Sequence, residues 1–126
     1  MKKVKLNTDK GILFWITGFP GSGKTVIAEK VKSEITKTYG PTVLFSGDDI
    51  RKIFNLKKYS KNERLKNGLM ISKLCKFITD QKINVIFAGV GLIHKLHQQN
   101  RLKIKNYVEI YIKSDLSKII KLRKKK

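Results

Sequence analysis

The sequence is poor in cysteine and has no long apolar run, and each shortage excludes a class of protein. The single cysteine, Cys75, cannot form a disulfide within the chain, so the composition gives no sign of an oxidising compartment. Its neighbours Leu74, Phe77 and Ile78 are apolar, so we expect a buried thiol rather than a reactive one. The longest apolar run, 11–18, is far shorter than the roughly 20 residues of a membrane-spanning helix. We therefore expect a cytoplasmic protein without a membrane partner.

Acidic residues are also scarce, and so is arginine. Nine acidic residues stand against 29 lysines and arginines, which gives a formal charge of +20 and suits a nucleic-acid partner. Only four of the basic residues are arginines, however, and a protein that reads base edges would favour arginine for its paired hydrogen bonds. We attribute the charge to anionic small substrates and to a codon bias towards lysine, and we keep nucleic acid as a less favoured partner.

The chain length and the apolar runs predict one α/β domain over 1–126. A chain of 126 residues has the size of a single compact domain, and no linker or repeat divides it. Runs rich in β-branched and aromatic residues predict strands at 12–17, 42–46, 84–88 and 107–112. The first three runs are apolar throughout, which is typical of strands covered on both faces of a parallel sheet.

Helical patterns separate the predicted strands. Ile27, Val31 and Ile35 recur every four residues after the first strand, and the Gly-Pro pair at 40–41 ends that helix. The other predicted helices are 61–81, 96–103 and a basic, frayed C-terminal helix within 113–126. The alternation of strand and helix predicts a parallel sheet with right-handed crossovers and helices on its faces.

A phosphate-binding loop lies between the first strand and the first helix. Residues 18–25 match the Walker A pattern at every defined position, with a strand before them and an amphipathic helix after them. The glycines let backbone N–H groups point inward, and the helix adds its positive dipole end. We expect Lys24 to contact the β- and γ-phosphates of ATP and the Thr25 hydroxyl to help bind Mg²⁺. The residues predicted to bind ATP are Gly18, Gly21, Ser22, Gly23, Lys24 and Thr25.

Two carboxylates and an arginine follow the second predicted strand. The carboxyl ends of parallel strands face the ligand crevice, so we expect Asp48 to lie near the γ-phosphate. There its carboxylate would accept the proton of the acceptor hydroxyl or hold water bound to Mg²⁺. Capping of the next helix is the alternative role, which we assign to Asp49. Arg51 is well placed to bind an anionic substrate.

Three segments in register resemble the adenylyl-sulfate kinase family. They are the loop at 18–25, the stretch Ser46-Gly47-Asp48-Asp49-Ile50-Arg51, and the stretch Tyr59-Ser60-Lys61-Asn62-Glu63-Arg64-Leu65-Lys66-Asn67. The resemblance implies a P-loop NTPase-type three-layer sandwich whose sheet has the order 2-3-1-4. It also implies transfer of the ATP γ-phosphate to the 3′-hydroxyl of adenylyl sulfate, in the pathway of sulfate assimilation. In the family, residues matching Arg51, Arg64 and Asn67 bind the acceptor, and Tyr59 is a candidate for stacking on its base.

The sequence departs from the family pattern in ways that bear on the acceptor. Ser46 replaces the first aspartate of the Asp-Gly-Asp stretch, and 89–94 replaces the family's Ile-Ser-Pro-Tyr-Arg-like segment. That variant segment includes His94, a candidate substrate contact, and resembles a branch found with surface-polysaccharide genes. The chain also ends at Lys126, where family members continue into a lid, a final strand and a helix. We expect those parts to be missing and turnover to be slow or absent.

Several functions therefore stay open beside phosphorylation of adenylyl sulfate. They are phosphorylation of another nucleotide in surface-polysaccharide modification, polynucleotide 5′-phosphorylation, and ATP binding without catalysis. The expected partner is a small nucleotide, and a homodimer is a possible assembly. No cluster of His, Cys and Asp has the spacing of a zinc site.

Overall fold

The computed structural model describes residues 8–18, 23–57, 60–90 and 94–112, apart from the side chains of Thr25, Val90 and His94. The elements in these ranges are β1 (Leu13–Gly18), α1 (Lys24–Tyr39), β2 (Thr42–Ser46), α2 (Gly47–Phe54), α3 (Lys61–Thr79), β3 (Asn84–Val90), α4 (His94–Lys103) and β4 (Tyr107–Ile112). The four predicted strands are confirmed, and their ends lie within two residues of the expected positions. The predicted helix within 113–126 lies outside the described residues.

The strands form one parallel sheet in the order β2-β3-β1-β4, which confirms the expected order. In register, Leu13 of β1 lies between Val85 of β3 and Tyr107 of β4. Both faces of the second strand are covered as expected, because Phe45 packs against the core on one face and Leu44 against the core on the other. The expectation that this strand is central is wrong, since β2 is an edge strand in the described sheet.

The helices cover both faces of the sheet, as the alternating strand pattern requires. Leu13 and Trp15 pack on one face in a core that includes residues of α2, α3 and α4. Ile16 packs on the other face against α1. Cys75 of α3 is fully buried, as expected, and burial raises the pKa of its thiol to about 12. Among the described residues, no helix has both the length and the apolar character needed to cross a membrane.

Two buried asparagines join the segments at the amino-terminal ends of the strands. The Oδ1 atom of Asn84 accepts a hydrogen bond from the N–H of Ile12 (2.9 Å), and its Nδ2 donates to the carbonyl of Tyr39 (3.1 Å). The Nδ2 of Asn106 donates to the carbonyl of Gly11 (3.3 Å). Buried polar side chains of this kind are stable only when they are hydrogen-bonded. They connect chain segments at one end of the sheet, and the other end carries the candidate site.

Candidate active site

The phosphate loop connects the end of β1 at Gly18 to the start of α1 at Lys24. Gly23 has a φ of 92°, a left-handed conformation that favours glycine. The Nζ atom of Lys24 donates a hydrogen bond to the carbonyl of Gly18 (3.2 Å), so the ammonium lies across the base of the loop. Gly21 and Ser22 lie outside the described residues, as does the side chain of Thr25.

Lys24 and Asp48 interact electrostatically although they belong to different helices. Burial lowers the pKa of the Lys24 ammonium, and the negative charge of Asp48 opposes that shift. The carboxylate of Asp48 is therefore near enough to the loop lysine to affect its ionisation. The expected position of Asp48 near the γ-phosphate stays a prediction.

A capping box begins α2 and orients the carboxylates. The Oγ atom of Ser46 accepts a hydrogen bond from the N–H of Asp49 (3.1 Å), and Asp49 Oδ2 accepts one from the N–H of Ser46 (2.8 Å). The expected capping role of Asp49 is thus confirmed, and Asp48 takes no part in the cap. Sequence reasoning missed Ser46 as the N-cap, although Ser-x-x-Asp at 46–49 is a sequence signature of such a box.

Asp48 forms an ion pair with Arg51, one turn further along α2. The Arg51 side chain is 34% exposed, and that of Asp48 is 72% exposed. A Cβ atom added to Gly47 would lie 3.4 Å from Nη1 of Arg51 and 3.9 Å from the ring of Phe87. The guanidinium therefore lies over the first turn of α2. An incoming anion would meet Arg51 and Asp48 together.

The predicted acceptor residues on α3 belong to the part of the helix that begins near the carboxyl ends of the strands. The carbonyl of Thr79, at the end of α3, accepts a hydrogen bond from the N–H of Gly11 (2.7 Å), just before β1. The 19 residues of α3 extend for about 28 Å at 1.5 Å per residue, so the helix begins near the carboxyl ends of the strands. Arg64 and Asn67 belong to this first part of the helix, where Arg64 is exposed and Asn67 is half-buried.

The start of α4 is held close to α3. A Cβ atom added to Gly68 would lie 2.6 Å from Cδ2 of Leu96, so the two helices approach closely because position 68 is glycine. His94 is the first residue of α4, which places its backbone near this contact. Its side chain and the whole of Tyr59 lie outside the described residues, so their expected contacts with substrate stay predictions.

The donor set next to the loop fits a magnesium ion that is bound mainly by a nucleotide. Mg²⁺ commonly uses one or two carboxylates together with phosphate oxygens and water. Asp48 supplies one exposed carboxylate beside Lys24. The described residues contain no group of three or more His, Cys, Asp or Glu side chains able to hold a metal ion without a nucleotide. Asp48 is therefore the described side chain that would contribute to such a site.

Replacing Ser46 with alanine is expected to lower the free energy of unfolding by about 1 kcal/mol, because it removes the N-cap of α2. Urea unfolding followed by circular dichroism measures the change. Ser33→Ala is the matched control, since Ser33 is exposed within α1 and alanine is the better helix former. Equal stability of the two variants would contradict the capping role.

Comparisons with known proteins agree with this fold and show the family. The family model for adenylylsulphate kinase matches residues 10–126. The curated cytidine diphosphoramidate kinase of Campylobacter jejuni is 32% identical over 108 residues, which are 86% of this chain and 64% of that protein. An adenylyl-sulfate kinase of Phocaeicola vulgatus is 31% identical over 117 residues, 90% of this chain and 57% of that protein. The chain thus spans less than two thirds of the length of either relative.

Solved structures support the architecture. The APS kinase CysC of Mycobacterium tuberculosis, in complex with AMPPNP and APS, matches with a TM-score of 0.78 at 20% sequence identity. The match covers 89% of this chain and 68% of that chain. At this identity the likeness concerns the fold, in which the loop follows a central strand of a parallel sheet.

Proposed function

We propose that this chain, which belongs to the adenylylsulphate kinase family, transfers the γ-phosphate of ATP to a hydroxyl group of a small nucleotide. The observation that carries the proposal is the proximity of Lys24 and Asp48, which come from the ends of two different strands. A cation that binds phosphates and a carboxylate that serves the acceptor are the two charges this reaction needs. Both lie where ligands bind in open α/β sheets.

Lys24 would bind the phosphates of ATP. In the ligand-free chain its ammonium donates to the carbonyl of Gly18, a weak neutral acceptor. A phosphate oxygen carries negative charge and therefore accepts a stronger hydrogen bond than that carbonyl does. We expect the ammonium to move from Gly18 to the β- and γ-phosphates, while the N–H groups of the loop and of α1 bind the remaining oxygens.

Asp48 would serve the acceptor hydroxyl, and Arg51 would bind the acceptor's anionic group. The ion pair between them keeps the guanidinium next to the carboxylate before substrate arrives. An anionic acceptor that takes over Arg51 leaves the Asp48 carboxylate able to accept the hydroxyl proton or to contribute to Mg²⁺ binding. Bound Mg²⁺ would supply neutralisation of charge on the phosphates.

Adenylyl sulfate is the first candidate acceptor, because the family's reaction uses it. Arg51, Arg64 and Asn67 would bind its anionic and polar groups, and the arginines offer paired hydrogen bonds to phosphate or sulfate oxygens. Tyr59 and His94 are proposed as further contacts. Sulfate assimilation depends on the acceptor being adenylyl sulfate, whereas Mg²⁺ dependence and a cytoplasmic location are proposed for either nucleotide acceptor.

Cytidine diphosphoramidate is a second candidate acceptor, favoured by two specific observations. The relative from Campylobacter jejuni that bears this name covers 86% of this chain at 32% identity. In addition, Ser46 occupies the position of the family's first acidic residue, and its hydroxyl is engaged in the cap of α2. The changed residue Ser46, two positions before Asp48, and the changed segment at 89–94 are where a different acceptor would be recognised.

The test is ADP formation by the purified chain with ATP and Mg²⁺ and one acceptor at a time. The acceptors are adenylyl sulfate, cytidine diphosphoramidate and a 5′-hydroxyl oligonucleotide. We expect one of the first two to stimulate ADP formation in proportion to its concentration. Stimulation by the oligonucleotide alone would contradict a small-nucleotide kinase. ATP binding with no stimulation by any acceptor would contradict catalysis by this chain.

Replacing Arg64 with alanine is expected to raise the KM for the acceptor about tenfold or more, because a charged hydrogen bond to substrate contributes roughly 1.5–3 kcal/mol. The KM for ATP should change little. Lys66→Ala is the matched control, since Lys66 is exposed on the same helix but two residues away, on a different face. An unchanged KM for the acceptor would remove Arg64 from the site.

A further inference from the structure

The helix α4 has few apolar side chains with which to pack on the rest of the fold. Helices on the face of a sheet are usually held by a stripe of apolar residues at spacings of three and four. The apolar residues within α4 are Leu96 and Leu102, and Leu102 is 82% exposed. Leu96 is therefore the apolar side chain of α4 that is buried, close to Gly68 of α3. The rest of the inner side of α4 must be held by polar contacts.

Three polar residues of α4 contact the strand β4. His97 and Asn100 are buried, and Arg101 follows one turn after His97 on the same side of the helix. On β4, Tyr107 and Glu109 are two residues apart, so their side chains point to the same face of the sheet. Polar side chains buried at such a contact are stable when they are hydrogen-bonded or paired in charge.

Glu109 is the acidic group among these contacts. Its Oε2 atom accepts a hydrogen bond from Nη2 of Arg101 (2.6 Å), and its Oε1 atom lies 3.7 Å from Nδ1 of His97. The hydrogen bond to Glu109 raises the pKa of the Arg101 guanidinium. The Glu109 side chain is 26% exposed, and salt screens a partly buried charge pair less than an open one. One carboxylate thus contacts two positions of α4 that lie a turn apart.

The hydroxyl group of Tyr107 adds a neutral contact between β4 and α4. It accepts a hydrogen bond from Nδ2 of Asn100 (3.2 Å). Burial raises the pKa of this hydroxyl, and the negative charge of Glu109 raises it further. Hydrogen bonds between charged groups are roughly twice as strong as those between neutral groups. Glu109 therefore makes the stronger attachment of α4 to β4.

The start of α4 is tied to the segment 89–94, where a different acceptor would be recognised. Three residues separate the end of β3 at Val90 from the start of α4 at His94. A displacement of α4 therefore moves that segment directly. Leu96, at the same end of the helix, lies close to Gly68 in the first half of α3. The position of α4 hence affects both proposed parts of the acceptor site.

We propose that Glu109 is a positioning residue, which holds α4 through Arg101 and His97 and so keeps the segment 89–94 in the orientation that receives the acceptor. This role depends on the proposed function and adds a residue that need not touch the substrate. A misplacement of substrate by about 1 Å through a distant change can lower turnover about a hundredfold. A loosened α4 is therefore enough to weaken use of the acceptor.

The test is the kinetics of Glu109→Gln, which keeps the size of the side chain and removes its charge. With the acceptor that stimulates the wild type, we expect the KM for the acceptor to rise on the order of tenfold, while kcat and the KM for ATP change less than about twofold. Glu34→Gln is the matched control and should leave all three constants unchanged, since the Glu34 side chain is 76% exposed on α1. A wild-type KM for the acceptor in the Glu109 variant would overturn the proposal.

Arg101→Gln breaks the same contact from the side of α4. Arg101 is 59% exposed, so this variant should fold even if the Glu109 variant does not. We expect the same selective rise in the KM for the acceptor, and a double variant whose rise is well below the product of the single effects, because either change breaks the pair. Lys103→Gln is the control, since it removes an equal charge from an exposed position of α4. Fully multiplicative effects, or an equal rise in the control, would overturn the proposal.

Hydrogen exchange separates a failure of this role from a failure of the proposed function. Amides of α4 should exchange faster in Glu109→Gln than in the wild type, and those of α1 should keep their rates. Unchanged exchange in α4 would overturn the proposal. If the wild type binds an acceptor without turnover, the acceptor Kd in the presence of AMPPNP replaces the KM, with the same expected rise. Absence of acceptor binding to the wild type would contradict the proposed function and this role together.

Discussion

Replacing Lys24 with alanine is expected to reduce phosphate transfer from ATP at least about a hundredfold, because removing one preorganised donor at a developing charge typically costs that much. Lys24 lies across the phosphate loop with its ammonium on the carbonyl of Gly18. Its pKa is lowered by burial, so the surroundings already remove part of its hydration. A cation in such a place interacts more strongly with phosphate than an exposed one does.

The measurement is ADP formation at saturating ATP with the acceptor that stimulates the wild type, together with ATP affinity by calorimetry. Lys30→Ala is the control, because it removes the same charge from an exposed position on the same helix. The free energy of unfolding of both variants, measured with urea, should lie within about 0.5 kcal/mol of the wild-type value, as is usual for changes away from the core. Wild-type turnover and ATP affinity in the Lys24 variant would refute the phosphate-loop assignment.

Replacing Gly11 with alanine is expected to destabilise the fold by about 3 kcal/mol or more, because the new methyl group has no space. A Cβ atom at this position would lie 2.0 Å from the carbonyl oxygen of Ile83, which is backbone. Gly11 cannot simply move aside. Its N–H donates to the carbonyl of Thr79 (2.7 Å), and its own carbonyl accepts from Asn106 (3.3 Å).

Gly47→Ala is the matched control for this substitution. A Cβ atom there would meet its nearest neighbour, Nη1 of Arg51, at 3.4 Å, which a flexible side chain tolerates. We expect the Gly11 variant to melt on the order of 10 °C below the wild type and the Gly47 variant to melt close to it. Thermal unfolding followed by circular dichroism compares them. Similar melting temperatures for both variants would show that the approach of Gly11 to Ile83 is not required.

Much of the fold could be predicted because its elements depend on local pattern. The run at 107–112 is a strand with the expected ends, and the predicted third helix at 96–103 is the main part of α4. Residues close in sequence determine such elements through hydrophobic period and turn chemistry. The edge position of β2 was not derivable from its composition, because an apolar strand of five residues looks the same at the centre and at the edge of a sheet.

Some features of the candidate site could also be predicted from the sequence, and others could not. The phosphate loop and the capping role of Asp49 follow from motif and spacing, and the role of Asp48 in phosphate transfer stays a prediction. The ion pair between Asp48 and Arg51 and the action of Asp48 on the pKa of Lys24 depend on side-chain directions that no spacing specifies. The N-cap at Ser46 is intermediate, since its pattern is present in the sequence but its role is defined by two hydrogen bonds.

By itself, the sequence determined the strands, the main helices, the phosphate loop and, through its resemblance to a known family, the order of the sheet. The tertiary structure alone decided which residues meet across the chain: Lys24 with Asp48, Gly11 with Ile83, and Gly68 with Leu96. The physical reason is the separation along the chain over which each kind of interaction acts. Backbone period and capping act within a few residues, whereas burial, charge coupling and close packing depend on partners that only the folded chain brings together.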